Sequence, residues 1–290
     1  MRSFIFLALA YVLASPNPTL IQVAGRMRPM NINRTAKYSR YATAAYCKGP
    51  LLENFECKSC KGIKARFMAS FGSSRLDTSG YIAVDDRDKR IVMAFRGTGG
   101  LRNQLSDIAA MLVPFLESPV EGSLVHGGFK YAMDSMATKF LPILADLFAQ
   151  REYSNYTLAL TGHSLGGSIA SLAAVRVHTS LELPWTRMEL YTYGQPRTSN
   201  VIFSKWLSQQ PIGSARVVQD NDIVPHLMPV ALSYYAHHHN EVWIDSNGTV
   251  LPCKRDVLED RNCSYSVPVR KLALVSHNLY FQNIMGIKSC

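Results

Sequence analysis

Apolar and polar positions along this chain follow two periods. Short apolar runs at residues 63–71, 81–84 and 91–95 are separated by the turn-rich segments Gly72-Ser73-Ser74 and Asp85-Asp86-Arg87-Asp88, which predicts three strands joined as antiparallel hairpins. Further strand-like runs at 156–160, 188–193 and 215–218 alternate with helical stretches near 35–46, 126–150, 169–177 and 200–208. Strands alternating with helices predict parallel pairing, so the expectation is one α/β domain with a mixed, mostly parallel sheet flanked by helices. One more stretch, 101–112, sets Leu101, Leu105, Ile108 and Leu112 on one helical face and Arg102, Asn103, Ser106 and Asp107 on the other, with Pro114 as a stop. It follows the hinge-like pair Gly99 and Gly100. The stretch reads either as a helix packed on the sheet or as a lid, whose greasy face covers an apolar site and turns outward at a lipid surface.

The run 156–160 leads straight into Gly162-His163-Ser164-Leu165-Gly166, and the helical stretch follows. This G-x-S-x-G at a strand-to-helix turn is the context of a nucleophile elbow, where glycines relieve backbone crowding and the serine hydroxyl is presented outward. Strand 91–95 ends in Arg96-Gly97-Thr98 beside it. The Thr98 hydroxyl, a backbone N–H there and the N–H of Leu165 are the candidate donors to a developing oxyanion.

A serine nucleophile requires a base and a carboxylate to orient that base. After the strand 215–218 come Asp220 and Asp222 at a strand end, and Val224-Pro225 fixes an extended exit just beyond Asp222, which favours it over Asp220. Of eight histidines, only His226, the run His237-His238-His239 and His277 follow the acid in chain order. His226 lies too close to Asp222 and reads as a turn residue. Consecutive histidines on an extended segment alternate faces and do not converge on one ion, so the triple run reads as structural. His277 remains as the base, and His126, ahead of the elbow, reads as structural.

At 290 residues and 47% hydrophobic, the chain has enough material for one large core. The net charge of +10 comes from scattered basic residues; no cluster suggests nucleic acid, and attraction to an anionic lipid surface is the partner the charge suggests. Arg2 followed by the apolar run 4–14 is too short to span a bilayer and reads as a secretory signal over residues 1–14, with 15–30 as a pro-segment and 31–290 as the mature domain. No later stretch is long and apolar enough to cross a membrane, so an exported, extracellular protein is expected. In that compartment six cysteines pair in one of fifteen ways. Their placement suggests Cys47 with Cys290, Cys57 with Cys60 and Cys253 with Cys263. Asn33, Asn155 and Asn247 begin sequons open to glycosylation, and Asn262 begins another beside Cys263. No metal or cofactor is called for.

These residues together resemble the secreted fungal lipases of the Rhizomucor and Thermomyces type, lipase class 3, over nearly all of the chain after residue 33. The motifs that carry the resemblance are Thr161-Gly-His-Ser-Leu-Gly-Gly167, Phe95-Arg-Gly-Thr98, Val125-His-Gly-Gly-Phe129, Tyr193-Gly-Gln-Pro-Arg197, Asp222-Ile-Val-Pro-His226, Glu241-Val-Trp-Ile244 and Ser276-His-Asn-Leu-Tyr-Phe281. The resemblance implies an α/β-hydrolase fold with a short helical lid, a Ser164–Asp222–His277 triad, oxyanion donors Thr98 and Leu165, and the three disulfides paired as above. It also implies that Asp107 steadies Thr98 when the lid, from Gly99 to Asp107, is open. Four positions depart from the pattern: Gln104 replaces a large lid aromatic, His238 and His239 replace small residues, and Thr98 stands for a serine.

The expected reaction is hydrolysis of triacylglycerol esters at a lipid–water interface through an acyl-enzyme. Phospholipase A1 and feruloyl esterase activities belong to the same fold family. A secreted lipid-binding protein without catalysis is the rival of a different class, and a complete Ser164, Asp222 and His277 set argues against it.

Overall fold

The computed structural model describes residues 31–98, 111–228, 230 and 235–290. The expected signal (1–14), pro-segment (15–30) and lid residues Gly99, Gly100, Leu101, Gln104, Leu105, Asp107 and Ile108 lie outside the described residues.

Strand β3 (Arg90–Phe95) runs through the heart of the molecule, and its sequence explains why. Ile91, Met93 and Phe95 enter the core on one face and Val92 and Ala94 on the other, all fully buried. A strand covered on both faces carries a continuous apolar run instead of an alternation. β3 pairs antiparallel with β2 (Thr78–Asp85), which pairs antiparallel with β1 (Arg66–Ser73). On its other side β3 pairs parallel with β6 (Thr157–His163), and β7 (Met188–Tyr193), β9 (Gly213–Gln219) and β11 (Glu241–Ile244) continue the parallel set. With antiparallel β12 (Val250–Pro252) the sheet has eight strands in the order β1-β2-β3-β6-β7-β9-β11-β12.

Helices cover both faces. On one, α3 (Gly127–Ala149) and α4 (Leu165–Leu181) pack Phe140, Leu144 and Leu172 against Met93, Phe95, Leu158 and Leu160. On the other, α1 (Ile32–Ala44) lays Tyr38 and Tyr41 over Ala83, Ala94 and Ala159. Small strand residues leave room for these rings, and Tyr38 stacks on Tyr191 with centroids 4.5 Å apart. Two short helices, α2 (Pro50–Glu53) and α5 (Val201–Ser208), complete the covering. A small sheet outside the main one orders β10 (Tyr235–Ala236), β8 (Ser199–Asn200), β5 (Leu124–His126) and β4 (Leu112–Pro114), and a final hairpin joins β13 (Leu279–Tyr280) to β14 (Asn283–Ile284).

Where the pattern misplaces an element, a cap or a bridge explains the difference. α1 starts three residues before the expected Thr35 because the Asn31 side chain accepts from the Arg34 N–H and caps it. β1 starts at Arg66 and not at residue 63, since the Cys57–Cys60 bridge and the turn after it hold the Ile63 N–H on the Cys60 carbonyl. Leu112, expected to end a helix, opens β4 and pairs with His126. The α4 helix begins at Leu165 and takes in the small residues before Ile169. All six cysteines are bridged, as Cys47–Cys290, Cys57–Cys60 and Cys253–Cys263.

One buried ion pair ties the far side of the sheet. Arg216 on β9 is fully buried and donates at 2.6 Å to Glu241, its register partner on β11. The second Glu241 oxygen accepts the Ser264 N–H at 3.0 Å, beside the Cys253–Cys263 bridge. Removing one partner strands a charge away from water. We therefore expect Glu241→Ala to cost about 3–5 kcal/mol of stability, read as a lowered denaturant midpoint, whereas an unchanged midpoint would show that Arg216 finds another partner.

Candidate active site

The strands β3, β6, β7 and β9 end on one edge of the sheet, as the registers Phe95 to Gly162, His163 to Tyr193 and Tyr193 to Val217 require. In open parallel sheets ligand sites form beyond the carboxyl ends of strands, because loops there converge on helix N-termini. Ser164 leaves the end of β6 with φ 58° and ψ −131°, a strained conformation for a residue with a side chain. That strain persists because the crossing is too tight to relax: a Cβ on Gly162 would lie 2.2 Å from the Gly166 carbonyl oxygen, and one on Gly166 would lie 2.2 Å from that of Phe95. The Ser164 N–H is held by the Tyr193 carbonyl at 2.9 Å. Leu165, first residue of α4, has an N–H with no intrahelical acceptor, at the positive end of the helix.

Asp222 and His277 meet from loops 55 residues apart in sequence. His277 Nδ1 lies 2.7 Å from Asp222 Oδ2, and both side chains are fully buried. The chain places them by backbone contacts: Asp222 forms a parallel bridge with Ala273, and the Ile223 N–H donates to the Ala273 carbonyl at 3.2 Å. Asp222 is further held by the Val224 N–H at 2.9 Å on Oδ1 and by the Tyr280 hydroxyl on Oδ2. Asp220, the competing acid, instead offers its carbonyl to the Trp243 indole N–H at 2.9 Å. Because the carboxylate fixes Nδ1 as the protonated nitrogen, Nε2 is the free lone pair, and it is buried without a partner among the described residues.

Thr98, His277, His163 and Tyr46 border one cavity of about 310 Å³. The sequence pattern brings Thr98, Ser164, Leu165, Asp222 and His277 forward as candidates. Their neighbours carry weaker signals. Tyr280 is recognisable only by its spacing from His277. Arg197 grips Glu259 with two bonds, at 2.8 and 2.9 Å, and donates to the His226 carbonyl at 2.9 Å, which fixes the loop that follows Asp222. Gly194 leaves space for the His277 ring, since a Cβ there would sit 2.6 Å from His277 Cε1 and 2.9 Å from Asp222 Oδ2. Asn33, Asn155 and Asn247 are all exposed.

The class 3 lipase family model matches residues 92–232. The lipase of Rhizomucor miehei is 33% identical over 257 residues, covering 86% of this chain and 68% of that protein. A secreted mono- and diacylglycerol lipase of Fusarium solani is 28% identical over 299 residues, covering 95% of this chain and 86% of its own length. Among solved structures, a triacylglycerol lipase described as having a serine protease triad as its catalytic centre superposes with a TM-score of 0.80 at 32% identity, over 88% of this chain and 96% of that one.

The remaining histidines are held apart. His237 Nε2 donates to the Pro225 carbonyl at 2.8 Å, while His238 Nε2 faces Gln195 at 3.3 Å. His126 caps α3 through Nδ1, which accepts from the Phe129 N–H at 3.3 Å, and stacks on the Phe129 ring. Among the described residues, the one side-chain group close enough to hold an ion, Glu241 with Cys253 and Cys263, has both sulfurs in a disulfide. Burial pushes His126 down to about 4 and His238, beside the Arg216 charge, down to about 3. His237 is also driven well below its ordinary range by burial. The unfolded chain accepts protons near 6.5 that these rings refuse when folded, so stability is lost as pH falls through that value and on to about 4 or 3. Asp88, held low by Lys37, and Asp260, held low by two backbone N–H groups, yield their contributions only below the carboxylate value of 3.8. The melting temperature should therefore be flat from neutrality up to the ordinary tyrosine range near 10, and decline steadily between pH 6.5 and 4, with each ring contributing about 1.4 kcal/mol per pH unit. A flat melting temperature across that window would show that the rings are protonated in the folded protein.

Proposed function

This chain belongs to the class 3 lipase family, and from that premise we propose that it is a secreted enzyme hydrolysing triacylglycerol esters at a lipid–water interface. Ser164 is the nucleophile, His277 the general base and Asp222 the group that orients it. The observation that carries this reading is the fully buried Asp222–His277 pair at 2.7 Å, whose Nε2 has no partner among the described residues, together with a serine held in the strained elbow.

In the acylation step His277 Nε2 takes the Ser164 proton while Oγ attacks the ester carbonyl. The oxyanion that forms is held by the Leu165 N–H and the Thr98 hydroxyl, groups fixed before the reaction begins. Asp222 stabilises the imidazolium without taking its proton. His277 then protonates the departing alcohol, and the same nitrogen activates the water that releases the fatty acid. The greasy stretch that precedes β4, from Leu101 to Ile108, is proposed as the gate to this site.

Support for an interfacial role comes from the segment that carries His277. Val269, Val275, Leu279, Ile284 and Ile287 are exposed, at 84, 76, 45, 42 and 58%. Arg270, Lys271 and Lys288 are exposed among them, and residues 264–290 contain no acidic side chain. Apolar side chains bordered by cations suit an anionic lipid surface. No described helix is long and apolar enough to cross a membrane. The same segment favours one second reading, hydrolysis of anionic phospholipid.

Ser164→Ala should abolish ester hydrolysis while preserving the melting curve, and retained activity would remove Ser164 from the mechanism. With a short-chain triglyceride, the initial rate should rise sharply as droplets appear; smooth saturation below the solubility limit would exclude gating by residues 101–108. Faster turnover of phospholipid than of triglyceride would decide for the second reading. Binding to anionic vesicles should exceed binding to neutral ones at low salt and converge with it at high salt. Equal binding at low salt would show that Arg270, Lys271 and Lys288 play no part.

A further inference from the structure

His163, the residue before the nucleophile, has no part in the mechanism above, yet it is buried against the base. Its ring lies 4.3 Å from the His277 ring, centroid to centroid, and its Nε2 lies 2.8 Å from the His277 backbone carbonyl. A carbonyl only accepts, so Nε2 carries the hydrogen. The ring is neutral, since burial and the neighbouring His277 push it well below its ordinary range. Nδ1 is then an acceptor, and the Tyr46 hydroxyl donates to it at 2.8 Å. Both hydrogen bonds thus have one direction, from Tyr46 to His163 to His277.

The far end of this chain is anchored too. Burial keeps the Tyr46 phenol protonated, against the opposing pull of the Arg96 charge and the Gly97 amide. Gly97 lies just before Thr98, and its backbone is packed so closely on Tyr46 that an added Cβ would sit 2.2 Å from the phenol oxygen. The next residue, Cys47, is bridged to Cys290. Tyr46 therefore touches the strand end that presents Thr98 while its neighbour is tied to the segment that follows His277.

We propose that Tyr46 and His163 are positioning residues, a two-member relay that holds the His277 backbone in register with Ser164 and with the Thr98 strand end. The proposal rests on the triad assignment above. Neither side chain exchanges a proton with substrate. Their effect is on where the base stands: His163 holds it on one side by a carbonyl bond and ring contact, and Gly194 bounds it on the other. Misplacing a reacting group by about 1 Å costs on the order of 10²-fold in rate.

The test uses the full chain and a soluble short-chain nitrophenyl ester, so that interfacial binding does not enter. Tyr46→Phe, which removes one hydroxyl, should lower kcat about tenfold with KM little changed. His163→Phe keeps a ring but loses both bonds, and should lower kcat about 10²-fold. His163→Gln, which returns an N–H toward the His277 carbonyl, should recover part of that loss. The double variant Tyr46→Phe with His163→Phe should be no slower than His163→Phe, since the two act in series. The low-field proton of the Asp222–His277 bond should broaden in His163→Phe, while melting curves show each variant folded. Wild-type kcat in both single variants would overturn the relay. So would losses that add in the double variant, fall in step with melting temperature and are not rescued by glutamine. Ser164→Ala is run alongside: its inactivity with unaffected relay variants rejects the relay only, whereas its retained activity rejects the triad and the relay together.

Discussion

A carboxylate with no access to water must be answered by donors, and Asp222 is answered three times, by His277, Tyr280 and the Val224 N–H. Each donor comes from a different piece of local geometry. Val224 belongs to the turn that leaves β9, His277 to the short helical turn Val275–Asn278, and Tyr280 to the hairpin strand β13. An unpaired buried charge would cost several kcal/mol, so the fold is committed to bringing these segments together. The Asp222–Ala273 bridge and the Cys47–Cys290 disulfide make that meeting inexpensive in entropy.

The proposed nucleophile depends on a second constraint, the tight crossing of β6 into α4. Ser164 is held at φ 58° because backbone from β3 and α4 closes in on both flanking glycines. The strain stored there is supported by the two-sided core beneath it, where β3 and β6 are covered by α3 and α4 on one face and α1 on the other. Strands β3 and β6 lead directly to Thr98 and Ser164, while Asp222 and His277 arrive from loops. The two residues carried on loops are held by side contacts, Asp222 by Tyr280 and the Val224 N–H, and His277 by His163 and the close backbone of Gly194.

Burial also decides what the other histidines are. His126, His237 and His238 sit in dry surroundings as neutral rings with structural bonds, and His237 and His238 point to separate partners despite their adjacency. Their presence couples stability to pH in a range where the carboxylates are still ionised. The proposed catalytic base is distinguished from them by its acid partner, Asp222.

The sequence by itself determined whatever local pattern or local sterics enforce. The continuous apolar run of β3, the order of strands and helices, the glycine-flanked Ser164 and the preference for Asp222 over Asp220 are all readable there, because strand burial, turn crowding and a following proline act within a few residues. Boundaries slipped where a distant or side-chain contact set them, as at Asn31 and at the Cys57–Cys60 bridge. The tertiary structure decided everything that required two remote segments to meet. Tyr280 on the Asp222 carboxylate, Arg197 on the Asp222 loop, Gly194 against His277 and the Tyr46–His163 contact involve residue types that occur throughout the chain and carry no local signature. Only the closure of the sheet and the termini in three dimensions gives them a shared carboxylate, ring or carbonyl to act upon.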